Sequence, residues 1–218
     1  MSVSCTIRKK KRSHFVNLII GQPVHFEIKE KKTVCCKKSE LKCLLGNHWL
    51  TDYVIDEYLK FLKDFAKEAI IVTNTFFFRK LITKDYNGVD NWEGIKRFLS
   101  KECSKLLIPF SDSFHWSLCL VDMENSLIIV YDSLGKRHFR FLGMLIKYLE
   151  PKLGLRFNIK FPKLIKQKNF DDCGVYLLKY AEYILLGKNP IDIEQKELSF
   201  YREEIYSTLK NNKVSLTN

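Results

Sequence analysis

The stretch 166-KQKNFDDCGVYLLKYAEYILLG-187 decides how the fold is interpreted. After Gly174, only Lys179 and Glu182 interrupt an apolar run that has the length of a helix. A helix that is apolar on nearly all sides is buried on most of them. Cys173 stands at the start of this predicted helix, where free backbone N–H groups and the helix dipole favour a thiolate. The stretch therefore predicts either a buried structural cysteine or a nucleophile that begins a central helix.

The composition is that of a folded chain. The 218 residues are 46% hydrophobic and 13% aromatic, which is enough to bury a core. No apolar run reaches the roughly 18 residues of a membrane-spanning helix, and Met1 is not followed by an apolar signal segment, so we expect neither a membrane span nor secretion. The seven cysteines have no regular disulfide spacing. They predict reduced thiols in the nucleus or the cytoplasm.

The positive charge is concentrated near the N-terminus. Of the net charge of +12, residues 1–43 contribute +8 with eleven Lys/Arg against three Glu, and the remainder contributes only +4. Arg8 to Arg12 are five consecutive cations, typical of a solvated tail, a nuclear-import signal or a phosphate-binding arm. We expect a basic tail or linker at residues 1–38 and one folded domain at residues 39–218. Any nucleic-acid binding is then expected from the tail alone.

Apolar periodicity predicts helices first, then clustered strands, then further helices. Pro151 is expected at or just past the end of its helix, and Phe76 to Phe78 are expected in the core. This order of elements predicts an α+β domain. The predicted helices are residues 39–46, 51–69, 137–154, 174–186 and 197–211, and the predicted strands are residues 105–110, 115–123, 126–133 and 156–161.

His115 and Asp132 are candidates for a catalytic base and the group that orients it. A nucleophilic cysteine needs both groups. A hairpin turn centred between Met123 and Glu124 places His115 directly opposite Asp132, with Cβ atoms roughly 5 Å apart. The structural alternative is a sheet histidine with an unrelated role and an aspartate that caps the strand.

Gln167 is a candidate donor for a developing oxyanion, which thiol attack on a carbonyl requires. It precedes Cys173 by a loop short enough to bring its amide near the sulfur, and the Cys173 backbone N–H would be the second donor. We expect Gly174 to let a substrate backbone approach, because it has no Cβ. The alternative is an ordinary surface glutamine. Catalysis also requires that the sulfur be reachable from solvent.

Four motifs occur in a fixed order along the chain: 48-HWLTDYVIDEYLKFL-62, 115-HWSLCLVD-122, 131-YDSLG-135 and Gln167 followed by Cys173-Gly174. In residue type, spacing and order they resemble the SUMO-specific (sentrin-specific) members of the ubiquitin-like protease family of cysteine peptidases. The resemblance covers about Ser39 to the C-terminus. It departs from the family pattern at Thr51, where an asparagine is usual.

The resemblance implies a papain-like α+β fold, in which a central buried helix carries the nucleophile and packs on a mixed β-sheet. It implies that Cys173 is the nucleophile, His115 the general base, Asp132 the orienting group and Gln167 an oxyanion donor. Neither a metal nor another cofactor is expected. Cys35, Cys36, Cys43 and His48 were considered as zinc ligands, but their spacing fits no regular finger.

The resemblance also implies a channel for the Gly-Gly C-terminus of a modifier, covered by Trp49 and Trp116. Asp52 corresponds to a position that meets the modifier's basic surface, although it could equally cap its helix. The expected activity is removal of SUMO from conjugates and trimming of its precursor by a monomer. The alternatives are a peptidase for ubiquitin or another modifier, an acyltransferase, a non-catalytic modifier-binding module and a nucleic-acid-binding protein.

Overall fold

The computed structural model describes residues 39–112 and 114–214, so the predictions made for residues 1–38 lie outside it. The strands are β1 (Ile70–Val72), β2 (Lys105–Asp112), β3 (His115–Asp122), β4 (Leu127–Tyr131) and β5 (Asn158–Lys160). The α-helices are α1 (Asp52–Lys63), α2 (Phe76–Ile82), α3 (Tyr86–Asp90), α4 (Glu93–Leu99), α5 (Phe139–Leu153), α6 (Cys173–Leu185), α7 (Gln195–Ser199) and α8 (Tyr201–Val214). Short 3-10 helices span Glu40–Leu44 and Pro190–Asp192.

The five strands form one mixed sheet in the order β1-β2-β3-β4-β5. The two outer pairs are parallel, and the β2–β3 and β3–β4 pairs are antiparallel. Successive residues of a strand point to opposite faces of the sheet. Apolar side chains therefore lie on both faces, and helices cover each of them. Leu107 and Leu120 pack in the cluster that contains the buried side chains of α1, α6 and α8. Leu106 and Val121 belong to the cluster of α2, α4 and α5 on the other face.

Helix α6 is the central helix that its sequence predicts. All thirteen of its residues are buried, including Lys179 and Glu182. It packs on β3 and against α1, and its apolar side chains form much of the core on that face of the sheet. Because α6 is fixed on several sides, its first residue is held at a defined position next to the sheet. No helix in the described part of the chain is both long and apolar enough to cross a membrane.

Helix α5 differs from its predicted end. Pro151 lies inside the helix, which continues to Leu153 and stops at Gly154, whose φ of 66° reverses the chain. The Gly154 N–H still donates to the carbonyl of Glu150 at 2.9 Å, and Leu153 is buried. The buried last turn therefore outweighs the one backbone donor that proline removes.

Two further predictions needed correction. The closing helix is divided into α7 and α8 at Phe200, which is exposed. Of the three consecutive phenylalanines, Phe77 and Phe78 are buried, whereas Phe76 is 45% exposed because α2 turns it away from the core. Strand β1 and helices α2 to α4 had not been predicted as elements.

Candidate active site

Cys173 is the first residue of α6 and is almost fully buried, with 1% of its surface exposed. Asp172 precedes it, and the Asp172 carbonyl accepts a hydrogen bond from the N–H of Tyr176 at 2.9 Å. The carboxylate of Asp172 accepts hydrogen bonds from Asn169 at 2.6 Å and from Arg202. These contacts fix the start of the helix and, with it, the position of the sulfur.

His115 lies at the start of β3, between Asp132 and Cys173. Its Nε2 is 2.7 Å from Oδ2 of Asp132, and its ring also interacts with the side chain of Cys173. Burial alone would lower the pKa of His115. The hydrogen bonds and charges of Asp132 and Cys173 outweigh burial and raise this pKa from 6.5 to about 9. The ring is therefore an imidazolium at neutral pH.

The predicted hairpin register is wrong by two residues. Leu118 pairs with Tyr131 instead of Ile129, because the turn is longer than expected. The carboxylate of Asp122 accepts hydrogen bonds from the backbone N–H and the side-chain amide of Asn125, at 3.1 and 2.8 Å, and closes a loop of four residues. A shift by two keeps every side chain on its face of the sheet. His115 therefore reaches Asp132 diagonally, and the residue opposite Asp132 is Ser117.

The carboxylate of Asp132 is the centre of a buried hydrogen-bond network. Its Oδ1 accepts the backbone N–H groups of Leu134 and Lys136 at 2.8 and 2.9 Å. Its Oδ2 lies 2.7 Å from Ser117 Oγ and 2.8 Å from a second imidazole, that of His138. Burial would raise the pKa of Asp132, but these hydrogen bonds hold the pKa well below its usual range. The group stays a carboxylate and keeps His115 oriented.

His138 is the residue of this network that sequence reasoning missed. It precedes α5 in a left-handed conformation with φ of 47°, and its ring is nearly parallel to that of His115, at 8° and 6.1 Å between centroids. Its Nε2 also lies 3.0 Å from Ser117 Oγ, and its Nδ1 lies 3.5 Å from a carboxylate oxygen of Asp112. A residue in a loop after "GKR" gives no periodic pattern. His138 follows Asp132 by six residues in the sequence, and this short separation was the one available indication that the two side chains could meet.

Gln167 is buried beside this network, as a surface glutamine would not be. Its backbone N–H donates to the Ser133 carbonyl at 3.1 Å, and its side-chain oxygen accepts the Ser133 hydroxyl. Its amide nitrogen donates to the Asn169 carbonyl at 2.8 Å. An amide nitrogen carries two N–H groups, so one donor remains beside this bond. The orientation of the amide is therefore set before any substrate binds.

Trp49 and Trp116 are each held by a hydrogen bond from the indole N–H to a backbone carbonyl. The indole N–H of Trp116 donates to the carbonyl of Leu50 at 2.8 Å, and that of Trp49 donates to the carbonyl of Phe170 at 2.7 Å. Trp49 is half exposed and stacks on Phe114, with 5.9 Å between ring centroids. Trp116 of β3 is thus fixed to the residue next to Trp49, and Trp49 is fixed to the loop that leads to Cys173.

The matching family model is the C-terminal catalytic domain of the Ulp1 protease family, over residues 48–214. The chain belongs to the Ulp1 protease family. It is 36% identical over 180 residues to human Sentrin-specific protease 5, covering 78% of this chain and 23% of that protein. It is 30% identical over 186 residues to mouse Sentrin-specific protease 3, covering 81% of this chain and 32% of that protein. The chain therefore spans about a quarter to a third of the length of these two relatives.

The fold resembles the crystal structure of the C-terminal Ulp1 protease domain in complex with Smt3, the yeast ortholog of SUMO. The TM-score is 0.70 at 24% identity, over 80% of this chain and 82% of that chain. The predicted α+β fold, with a buried helix that starts at Cys173 and packs on a mixed sheet, is confirmed.

Compared with the sequence expectation, the Ulp1-family site is more closed. Leu50 fills the space beside Gly174, because a Cβ on that glycine would lie 2.9 Å from Leu50 Cβ. The glycine thus permits close packing of α6 against Leu50, and the expected approach of a substrate backbone at this point stays a prediction. The sulfur was expected to be reachable from solvent, whereas Cys173 keeps only 1% of its surface. The hydrogen bond between Trp49 and the Phe170 carbonyl, three residues before Cys173 in the sequence, is exposed.

Asp52 is the first residue of α1 and does not cap it, because Thr51 occupies the N-cap position and accepts the N–H of Val54 at 3.4 Å. Asp52 instead lines a depression of about 70 Å³ together with Trp116 and Arg79. The Ulp1-family side chains expected to meet a modifier therefore share one surface. Their contact with a modifier stays a prediction.

One group of potential metal ligands, formed by His115, Asp132 and His138, is present among the described residues. Both imidazole Nε2 atoms are within 2.8 Å of the Asp132 oxygen, which are hydrogen-bond distances. A zinc ion bound at about 2.0–2.2 Å from each atom would force the ligands apart. The spacing of these three side chains fits hydrogen bonds between them better than coordination of a metal ion.

Proposed function

We propose that this chain is a cysteine peptidase that removes SUMO from conjugates and trims the SUMO precursor. The observation that carries the proposal is the position of His115, whose ring is hydrogen-bonded to Asp132 and interacts with the side chain of Cys173. The relatives named as sentrin-specific proteases, and the similar Ulp1 domain in complex with Smt3, support SUMO as the modifier. No step requires a metal or another cofactor.

In the first step, the Cys173 thiolate attacks the carbonyl carbon of the terminal glycine and forms a C–S bond. The carbonyl oxygen becomes an oxyanion, and the N–H groups of Gln167 and of the Cys173 backbone stabilise it. The imidazolium of His115 then donates its proton to the leaving lysine amine as the C–N bond breaks. The products of this step are a thioester on Cys173 and a free amine.

In the second step, neutral His115 accepts a proton from water, and the resulting hydroxide attacks the thioester carbonyl. The C–S bond breaks, the modifier leaves as a carboxylic acid that releases its proton to solvent, and the thiolate–imidazolium pair is restored. The raised pKa of His115 suits it to this cycle, because the base is loaded with a proton before the amine departs. Asp132, which stays ionised, keeps the imidazole in line through both steps.

Trp49 and Trp116 would hold the extended Gly-Gly tail over the nucleophile. A slot between indole rings admits a chain only where it lacks Cβ atoms, so specificity for glycine is steric. Asp52, on the same surface as Trp116, would meet a basic part of the modifier. Opening of the contact between Trp49 and the Phe170 carbonyl would admit the tail.

The decisive experiment is cleavage of a panel of modifier–fluorophore fusions that includes SUMO, ubiquitin and their relatives. We expect release of fluorophore from SUMO at a kcat/KM at least tenfold above that of any other modifier. Equal or faster cleavage of the ubiquitin fusion would contradict SUMO as the preferred modifier. Binding of SUMO without cleavage of any fusion would identify a non-catalytic module.

We also propose that the chain acts in the nucleus, with a cytoplasmic fraction, because Arg8 to Arg12 form a run typical of nuclear import. A fluorescent fusion of the full chain should concentrate in the nucleus. Replacement of all five residues by glutamine should make the fluorescence uniform. A nuclear signal that survives this replacement would contradict the proposed role of the run.

A further inference from the structure

The small net charge of the folded part conceals two regions of opposite sign. Residues 133–168 contain ten Lys/Arg and a single acidic residue, Glu150, for a charge of +9. The rest of residues 44–218 contains sixteen basic and twenty-one acidic residues, for a charge of −5. All ten cations are exposed. In the described part of the chain, Lys152 and Arg156 are the two that form ion pairs, with Asp90 and Glu150.

Seven of these cations are brought together by the packing of the loop before α5 against the segment around β5. The guanidinium of Arg137 lies 5.6 Å from the ring centroid of Phe161, and Lys166 lies against Gly135. The backbone N–H of Gln167 bonds to the carbonyl of Ser133, which joins the two segments at one end. We name this surface the basic face. It consists of Lys136, Arg137, Arg140, Lys160, Lys163, Lys166 and Lys168, together with Phe139 and Phe161.

Two aromatic rings on the basic face are exposed instead of buried. Phe139 is 67% exposed and Phe161 is 38% exposed. Their centroids are 6.3 Å apart and the rings are nearly perpendicular, at 78°. Arg137 lies over one of them, so a flat group on this surface could stack on an aromatic ring or on a guanidinium plane. Exposed aromatic rings among unpaired cations have no role in the core or in the proposed hydrolysis.

Strand β5 gives the basic face an extended edge. It is the last strand of the sheet, and Asn158, Ile159 and Lys160 are all exposed. The chain from Phe161 to Gln167 has no regular secondary structure and carries Lys163 and Lys166, and Lys160 and Lys168 flank it on either side. The cations therefore follow a line along the molecular edge, which suits a linear polyanion better than a compact one.

We propose that the basic face binds single-stranded nucleic acid. The lysines and arginines would contact successive phosphates, and the bases would stack on Phe139, Phe161 and Arg137. Cations that follow the backbone and aromatic rings that accept bases are the two parts of single-strand recognition. A duplex does not offer its base faces for stacking, and an acidic polypeptide has no need of the exposed rings. Lys166 and Lys168 flank Gln167, so the bound strand would lie beside the proposed active site.

The binding is measured by fluorescence anisotropy of a labelled 20-nucleotide single-stranded RNA, with the full chain in which the ten Lys/Arg of residues 1–38 are replaced by glutamine. This replacement removes the contribution of the basic tail. The test variant is R137Q/K160Q/K163Q, and the matched control is K63Q/K67Q/K96Q, which removes the same charge from exposed lysines elsewhere. None of these residues belongs to the proposed peptidase machinery, so cleavage of a SUMO fusion reports folding in every variant.

We expect the R137Q/K160Q/K163Q variant to bind at least tenfold more weakly and the control to change by less than threefold. The plot of the logarithm of the association constant against the logarithm of salt concentration has a negative slope. Loss of three cations should make this slope shallower by about 2. Substitution of F139A and F161A together should weaken binding about tenfold at constant charge, because base stacking is lost.

Three outcomes would overturn the proposal. The first is no RNA binding once the tail has been neutralised, since the tail alone would then account for it. The second is an equal loss in the two triple variants, which would indicate unspecific attraction by net charge. The third is binding of poly-glutamate as tight as that of RNA and insensitive to F139A/F161A, which would assign the face to acidic proteins. Each outcome leaves the peptidase proposal untouched.

Discussion

Helix α6 carries two buried polar clusters, one at its first residue and one near its middle, and they differ in how they are closed. At the start, His115 links Asp132 to the sulfur of Cys173. In the middle, Lys179 bonds to Glu182 at 3.1 Å, Glu182 accepts the hydroxyl of Tyr201, and Lys179 lies 4.3 Å from the Tyr201 ring centroid. Each cluster joins buried ionisable groups of α6 to groups from other parts of the fold.

The difference lies in the reactive partner. Every charged group of the middle cluster ends on another group of the same cluster, so the cluster neutralises itself. The first cluster ends on a thiol at a helix N-terminus. Burial of charge alone therefore does not indicate a functional site. The first cluster should control turnover, and the middle cluster should control the free energy of unfolding.

The largest effect is expected for Cys173→Ala. Without the sulfur no thioester forms, and turnover should fall on the order of 10⁵-fold or more. Cleavage of a SUMO fusion measures the loss, and SUMO binding by calorimetry should persist. Residual turnover within a hundredfold of the wild type would remove Cys173 from the mechanism.

The next largest effect is expected for Asp132→Asn. The amide cannot hold the His115 tautomer, so kcat should fall about 10³- to 10⁴-fold, as in other triads. Circular dichroism should show the native fold. A rate near that of the wild type would mean that His115 is oriented by another group.

For the middle cluster, Lys179→Met should lower the free energy of unfolding by about 3–5 kcal/mol, because the buried charge of Glu182 loses its partner. Urea denaturation measures this change. The kcat per folded molecule should stay within twofold. The control K179M/E182Q, which removes both charges and keeps an acceptor for Tyr201, should recover most of the stability. A large fall in the kcat of Lys179→Met would show that the middle cluster also controls turnover, and would contradict the division of roles between the two clusters.

A smaller effect on turnover is expected for His138→Leu, which removes one donor from Asp132. The carboxylate can then shift away from His115, and kcat should fall about 10- to 100-fold with little change in KM. His138→Gln places an amide N–H near the position of Nε2 and should restore most of the rate. If both variants lose the same activity, the effect is one of packing and not of orientation.

The smallest effect concerns pH. The pKa of His115, raised from 6.5 to about 9, predicts that kcat/KM falls above about pH 9, where the imidazolium is lost. The stability that this shift contributes is complete below pH 6.5 and disappears as the pH rises through about 9. In Asp132→Asn the descending limb should move to lower pH. A limb at the same pH in both proteins would show that Asp132 does not set the charge of His115.

The elements with long, regular patterns could be predicted from the sequence. Helix α6 shows a nearly continuous apolar run, and β2, β3 and β4 show apolar residues of strand length, so their places were correctly assigned. The family motifs selected His115, Asp132, Gln167 and Cys173. The structure places His115 beside Asp132 and Cys173, and Gln167 against Ser133, the neighbour of Asp132.

What failed to be predicted depends on contacts between distant residues. The hairpin register follows from hydrogen bonds of Asp122 with Asn125, and His115 still meets Asp132 because the error was an even number of residues. His138 has no sequence pattern, and its role is visible only where three segments meet. The burial of Cys173 depends on its tertiary surroundings, which include Leu50 beside Gly174 and which no local pattern reports.

The most direct test of the account is reaction of the full chain with a SUMO whose C-terminal glycine carries a thiol-reactive electrophile, followed by peptide mass spectrometry. We predict one adduct, on Cys173, that is absent from Cys173→Ala and forms far more slowly in Asp132→Asn. An adduct on Cys43 or another cysteine, or no adduct at a SUMO concentration that saturates binding, would contradict the assignment of Cys173 as the nucleophile.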